Sequence, residues 1–351
     1  MVPNPASQHS TFPGVKAFLT ALKRKNIGIV YSFQNERASG DKHYDYWKFD
    51  VVGDWANAVE QLGAVPYILD TRTFAHKAMD SSLPPLDYVV NLNAGNTHFS
   101  SLGLVPSLCG FIGLPCIPNE VLATLVAESK SLSNTLGRQH GLLVPQDIEQ
   151  CDIGGILRPD NFGSSHGVKR VSSLWDLGKG LYQEFIPGID VSIPLLFEPV
   201  SSRLEMLPAI AYLPDNRDVN WFLGESEKLS HSGYTKSYVQ IARAEDAGLT
   251  DLALSLGARG YCRIDTRLAC SNYEEVAEAI LKPISEKALY FIEINNMPTI
   301  RENVNFTGSL SHLSEGNRHR QLVTEISREI SDLMDTSVVL FCALCAADIV
   351  K

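Results

Sequence analysis

Hydrophobic positions along the chain fall into two periods, and their order predicts an α/β protein. Val15 to Arg24 has helical spacing with a basic polar side, and Ile27-Gly-Ile-Val-Tyr31 is a short apolar run of the buried-strand type. Phe49 to Leu62 returns to helical spacing, Val65-Pro-Tyr-Ile-Leu69 is a second strand, and Tyr88-Val-Val-Asn-Leu92 a third. Strand, helix, strand in this rhythm implies a parallel, Rossmann-like sheet up to about residue 117. Polar loops follow the strands at Ser32–Gly40 and Asn93–His98, where open α/β sheets bind ligands. Asn119 is placed to cap a helix running to about Gly137, with Lys130 on its polar side. Short strands are expected at Gly155–Pro159, Leu181–Gly188 and Asp190–Phe197. Residues 214–237 read as a polar, irregular loop of the length that lids have. Helices are expected over Tyr238–Leu256, Asn272–Lys287 and Arg318–Met334.

Composition narrows the class. The 351 residues suffice for two or three domains with real cores, and 44% hydrophobic with 20% charged residues is ordinary globular usage. A net charge of −10 argues against a nucleic-acid footprint. Seven cysteines, an odd number without secreted-domain spacing, fit a reducing compartment. Cys342-Ala-Leu-Cys345 is a single CxxC inside an apolar segment, so packing is its expected role. The start, MVPNPASQHSTFPG, reads as a loose arm rather than a signal peptide, and the apolar run Val338 to Ala347 is too short to span a bilayer. A soluble cytoplasmic protein without membrane or nucleic-acid partners is the expectation.

Two stretches carry the chemistry. In Tyr261-Cys-Arg263-Ile-Asp265, alternation puts Arg263 and Asp265 on one face and Ile264 on the other. In Phe291-Ile-Glu293-Ile-Asn295-Asn-Met-Pro298, Glu293 and Asn295 share a face in the same way. Paired, the strands would present a cation, two carboxylates and an amide, the oxygen donors that Mg²⁺ takes while keeping positions open for phosphates. A salt-bridged sheet surface has the same alternation. Gly163-Ser164-Ser165-His166-Gly167 offers backbone N–H groups and hydroxyls to an anion, as a flexible surface turn also would, and it lacks the Gly-Lys-[Ser/Thr] ending of a P-loop. The nine histidines lack zinc-site pairing, and Ser164 and Ser165 lack a nucleophile-elbow context.

Taken in order over about residues 27–316, these motifs resemble the ATP-grasp superfamily, and within it the D-alanine–D-alanine ligase-like branch. The resemblance rests on Lys130, Arg158-Pro159 with Gly163–Gly167, Gln183-Glu-Phe-Ile-Pro-Gly-Ile-Asp190, Arg263-Ile-Asp265 and Glu293-Ile-Asn295-Asn-Met-Pro298. It implies three parts: a Rossmann-like domain over 1–117 (1–14 a loose arm), a small α+β lid domain over 118–188, and an α+β catalytic domain over 189–351. It implies ATP as cofactor, contacted by Lys130 and Arg158, with two Mg²⁺ ions (or Mn²⁺) held by Asp265, Glu293 and Asn295. Gly163, Ser164, Ser165 and Gly167 would close over the phosphates. Gln183, Glu184, Phe185 and Ile186 would meet the adenine, Asp190 the ribose, and Lys228 the phosphates from the long loop. Arg263 would stabilise the acyl phosphate and tetrahedral intermediate, and Glu36 would bind the ammonium of the first amino acid.

The implied reaction joins a small-molecule carboxylate to an amine, both of amino-acid type, and homodimers are usual in that branch. Several positions depart from the pattern: Arg158 replaces a lysine, Gln183 and Glu184 replace Glu and Lys, and Thr299 replaces a glycine. Asn93-Ala94-Gly95 replaces a His-Gly turn, and residues 272–287 fill a usual tight hairpin. The ATP and metal machinery thus reads as retained and the amino-acid pocket as altered. A silent nucleotide binder and a carboxylate kinase are the rival readings.

Overall fold

The computed structural model describes residues 12–32, 49–93, 102–148, 154–160, 163, 165–171, 180–243, 248–301 and 304–349. Asn26–Tyr31 is the inner strand of a four-stranded parallel sheet, between Val65–Asp70 and Tyr88–Leu92, with Cys116–Ile117 outermost. Alternation along it sends Ile27 and Ile29 to the large core that includes Trp55 of the Phe49–Gln61 helix. Val30 goes to a second cluster with Phe74, Val89 and Val105. Both faces are covered, as a parallel sheet requires.

A three-stranded antiparallel sheet follows, with Ile156–Arg158 between Lys169–Arg170 and Leu181–Gln183. The largest sheet runs Tyr234–Val239, Ala209–Pro214, Gly188–Glu198, Tyr261–Ala269 and Leu289–Asn295, with Arg203–Met206 also on Gly188–Glu198. The three sheets draw their strands from residues 26–117, 156–183 and 188–295.

The bounds of four expected elements need correction. Residues 214–237 are not irregular throughout: Glu225–Ser230 is helical and Tyr234–Val239 is an edge strand. The expected Tyr238–Leu256 helix shrinks to Leu249–Ser255, because Tyr-Thr-Lys-Ser-Tyr-Val, rich in aromatic and β-branched residues, pairs with Ala209–Pro214. The 272–287 helix covers only Tyr273–Ala279, capped by the Asn272 side chain, and Arg318–Met334 ends at Glu329.

Asn119 does not cap a helix. The helix breaks into Val121–Glu128 and Lys130–Gln139, and the Asn119 amide is buried. Its Nδ2 donates to Tyr261 O (2.8 Å) and Asn296 Oδ1 (2.6 Å), while its Oδ1 accepts from Arg259 N (2.6 Å). Asn296 Nδ2 in turn donates to Thr124 Oγ1 at 2.7 Å. One amide therefore ties the segment after the first sheet to one end of the antiparallel ladder, where the Tyr261–Ala269 strand begins and the Leu289–Asn295 strand ends. Asn119→Ala strands several buried partners, and a loss on the order of 3 kcal/mol is expected in chemical denaturation.

The Asp335–Ile349 helix lies between the Phe49–Gln61 helix and the Gly188–Glu198 strand. Every residue from Val338 to Ala346 is buried, Cys342 and Cys345 included, which is why its hydrophobicity runs all round the helix. Phe341 meets Phe18 edge-on, with ring centres 5.1 Å apart. Among the described residues no helix is long and apolar enough to cross a membrane.

Candidate active site

Tyr261–Ala269 pairs antiparallel with Leu289–Asn295 in a register that sets Arg263 opposite Asn295 and Asp265 opposite Glu293. The four side chains share one face, and Ile264 and Ile294 are buried on the other. The register shifts between Asp265 and Thr266, as a β-bulge does where a strand re-aims a side chain. On its other edge the strand sets Asp265 opposite Ser192 and Arg267 opposite Asp190.

Arg263 grips Asp265 with a two-toothed fork, Nε to Oδ1 at 2.8 Å and Nη2 to Oδ2 at 2.6 Å. Ser192 Oγ donates to the same Oδ1 at 2.6 Å. Burial works against the charge on Arg263, but the Asp265 carboxylate outweighs it and raises the guanidinium pKa above its ordinary value. Glu293 Oε2 faces Lys130 Nζ at 3.4 Å and Arg158 Nη2 at 3.2 Å. Lys130 is thus buried against Glu293 rather than set on a polar helix face. Arg158 also donates to Gln183 Oε1 and Ile292 O, both at 3.0 Å.

Burial alone would raise the Glu293 carboxyl. The surrounding Lys130, Arg158, Lys228 and Arg263 cations outweigh that and hold its pKa at about 2. A depressed pKa stabilises the fold above the unfolded value of about 4.3, and that contribution is lost as pH falls toward 2. Thermal stability is therefore expected to drop between about pH 4 and pH 2, and Glu293→Gln to flatten this part of the profile in a calorimetric pH series.

A cavity of about 390 Å³ opens over this face, and Lys130, Lys228, Arg263, Asp265, Glu293 and Asn295 all line it. Gly163, Ser165 and Asp190 reach it from the turn and the neighbouring strand. Lys228 stands on the Glu225–Ser230 helix, and burial lowers its pKa, partly offset by Glu293 and Asp265. Among the described residues no three His, Cys, Asp or Glu side chains form a closed metal cage. Two carboxylates and an amide beside an open, cation-lined cavity suit a Mg²⁺ that completes its shell with phosphate oxygens and water, so the residues fit that ion.

The other expected contacts lie further out. Gln183 is buried and donates to Asp147 Oδ1 (3.0 Å), and Glu184 Oε1 accepts from Gln146 N (2.9 Å). The Phe185 ring lies under the guanidinium groups of Arg170 (3.6 Å) and Arg267 (4.8 Å). Ile186 is buried and gives its carbonyl to Arg267. None of Gln183, Glu184, Phe185 or Ile186 lines the cavity, which is the phosphate-and-metal end of the expected site. Gly167 has φ +69°, and a Cβ there would approach Pro159 Cγ to 2.9 Å, so the turn needs glycine. Ser164 and Glu36 lie outside the described residues.

Sequence reading missed Ser192 and Arg267. Their signal was present, because Asp190-x-Ser192 and Arg263-x-Asp265-x-Arg267 keep the same period of two.

These three sheets, with an acid–base–amide face at the edge of the largest, make up a fold that the chain shares with solved D-alanine–D-alanine ligases. The D-alanine–D-alanine ligase of Bacillus anthracis, solved in complex with ATP, matches at TM-score 0.55 and 12% identity, covering 87% of this chain and 98% of that one. A D-alanine–D-alanine ligase of Synechococcus sp. (strain JA-3-3Ab) is 25% identical over 206 residues, 52% of this chain and 62% of that protein. A tRNA dimethylallyltransferase of Streptococcus thermophilus (strain ATCC BAA-491 / LMD-9) is 22% identical over 234 residues, 62% of this chain and 74% of that protein. The match to the Synechococcus ligase thus spans less than two thirds of that relative's length. No protein-family model matches the chain.

Proposed function

We propose that the chain is an ATP-dependent carboxylate–amine ligase that forms an amide bond between amino-acid-type substrates. The observation that carries this is the direct pairing of Asp265 with Glu293, beside Asn295 and beneath Lys130, Lys228 and Arg263, in one cavity. Mg²⁺ held by Asp265, Glu293 and Asn295 would neutralise charge on the transferring phosphoryl group. Lys130, Arg158 and Lys228 orient the ATP phosphates. The substrate carboxylate oxygen bonds to the γ-phosphorus as the bond to ADP breaks, giving an acyl phosphate. The amine nitrogen then bonds to the acyl carbon, phosphate leaves, and Arg263 offsets the charge on the carbonyl oxygen in between. Gly163, Ser165 and Gly167, with the residues around Lys228, exclude water that would hydrolyse the acyl phosphate.

The tRNA of the transferase's name fits this chain less well, since a net charge of −10 provides no basic surplus for phosphate neutralisation. The test is an ADP-release screen over pairs of amino acids, with mass spectrometry of the products. ADP and amide appearing together only when both substrates are present supports the ligase. Hydroxamate trapping without amide would mean a carboxylate kinase, and bound ATP without ADP release across the panel would mean a silent binder.

A further inference from the structure

Arg267 stands two positions beyond Asp265 and takes no part in the metal face. It is buried, and its three nitrogens reach five acceptors. Nε donates to Ile186 O, Nη1 to Asp190 Oδ1 (3.0 Å), and Nη2 to Trp221 O (2.6 Å), Gly188 O (3.0 Å) and Val219 O (3.3 Å). One planar group thus ties the segment joining the lid to the large sheet (186–188), the carboxylate of Asp190, and the base of the segment that carries Lys228 (219–221). A lysine ammonium has three donors and no fork, so it cannot meet the same set.

The linkage continues to the phosphate turn. The other Asp190 oxygen, Oδ2, accepts from Leu223 N at 2.7 Å, and Leu223 O accepts from Ser165 Oγ at 3.0 Å. Arg267, Asp190, Leu223 and Ser165 form an unbroken series of hydrogen bonds from the expected adenine segment to the expected phosphate clamp. A carboxylate has about four lone-pair sites. Asp190 therefore keeps acceptor capacity for a ligand's hydroxyls while Arg267 and Leu223 fix its direction.

We propose that Arg267 is a positioning residue that couples the nucleotide seat at Ile186 and Asp190 to closure of the Ser165 turn and the 214–237 segment. This rests on the ATP reading above. Nucleotide that engages Asp190 tightens a group already bonded to Leu223, and Leu223 already holds Ser165, so occupancy at one end is felt at the other. A buried cation matched by one carboxylate and four carbonyls gives the series its rigidity, since leaving any of them unpaired is costly.

The test uses the full chain with Arg267→Met and Arg267→Lys. ATP affinity is measured by calorimetry, and closure by limited proteolysis of the 214–237 segment with and without ATP. Arg267→Met is expected to weaken ATP binding by about 10- to 100-fold and to abolish ATP-dependent protection. Arg267→Lys is expected to retain part of the affinity but little of the protection, and it decides the matter if the methionine variant does not fold. Ser165→Ala, at the far end of the series, is expected to lose protection with a smaller change in affinity. Variants that melt earlier yet bind ATP as the wild type does and keep its protection would reduce Arg267 to a structural residue and overturn the proposal. A wild-type chain that does not bind ATP would overturn the ligase reading and the coupling with it.

Discussion

Asp265→Asn and Glu293→Gln are each expected to cut turnover by on the order of 10²–10³-fold, the scale for removing a group that offsets charge in a transition state. The two losses should differ in kind. Asp265 is held by the Arg263 fork and the Ser192 hydroxyl. An amide in its place offers one oxygen instead of two and turns a donor toward a guanidinium. Ligand geometry and the aim of Arg263 would fail together, with little change in ATP affinity. Glu293 is the carboxylate between Lys130 and Arg158. Its neutral replacement removes the carboxylate that two buried cations share, a change of the class that costs about 3–5 kcal/mol of stability. Nucleotide phosphates would supply that counter-charge, so Glu293→Gln should be stabilised by ATP more than the wild type is. Steady-state kinetics with thermal shifts, with and without ATP, check both. Near-normal rates in both variants would remove the metal assignment.

Excising residues 335–351 is expected to abolish the folded state rather than weaken it. The Asp335–Ile349 helix fills the space between the Phe49–Gln61 helix and the large sheet, and its removal would uncover Phe18, Trp55 and the neighbouring core that Val338 to Ala346 pack against. Single truncations in such a core cost about 2–5 kcal/mol, against a total stability of about 5–15 kcal/mol for a native protein. Loss of the cooperative transition in circular dichroism, even with nucleotide added, is the expected reading. A truncated chain that still melts cooperatively would refute the helix's place in the core.

Local alternation was enough to read which four side chains share the candidate face. Arg263, Asp265, Glu293 and Asn295 each sit two residues from their partner, and strand pairing only had to bring the two stretches together. Asn119 and Lys130 were misread because their environment comes from far along the chain. An asparagine before an apolar run has the sequence of a helix cap until Tyr261 and Asn296 take its amide. A lysine on a helix looks solvated until Glu293 arrives. The Tyr234–Val239 strand was lost for a related reason, since its pairing with Ala209–Pro214 settles what the run after Tyr238 leaves ambiguous. The contacts of residues 186–190 were not legible, as Arg267 claims carbonyls there that no local pattern reveals.

The burial of the Asp335–Ile349 helix against Trp55's helix and beside Phe18 has a consequence for how the molecule is made. Domain-by-domain folding from the ribosome, the usual course for chains of this size, is closed to the first sheet, because one wall of its hydrophobic interior is made only after the strands of the other sheets. The nascent first sheet must wait with that wall uncovered until the Asp335–Ile349 helix emerges and docks.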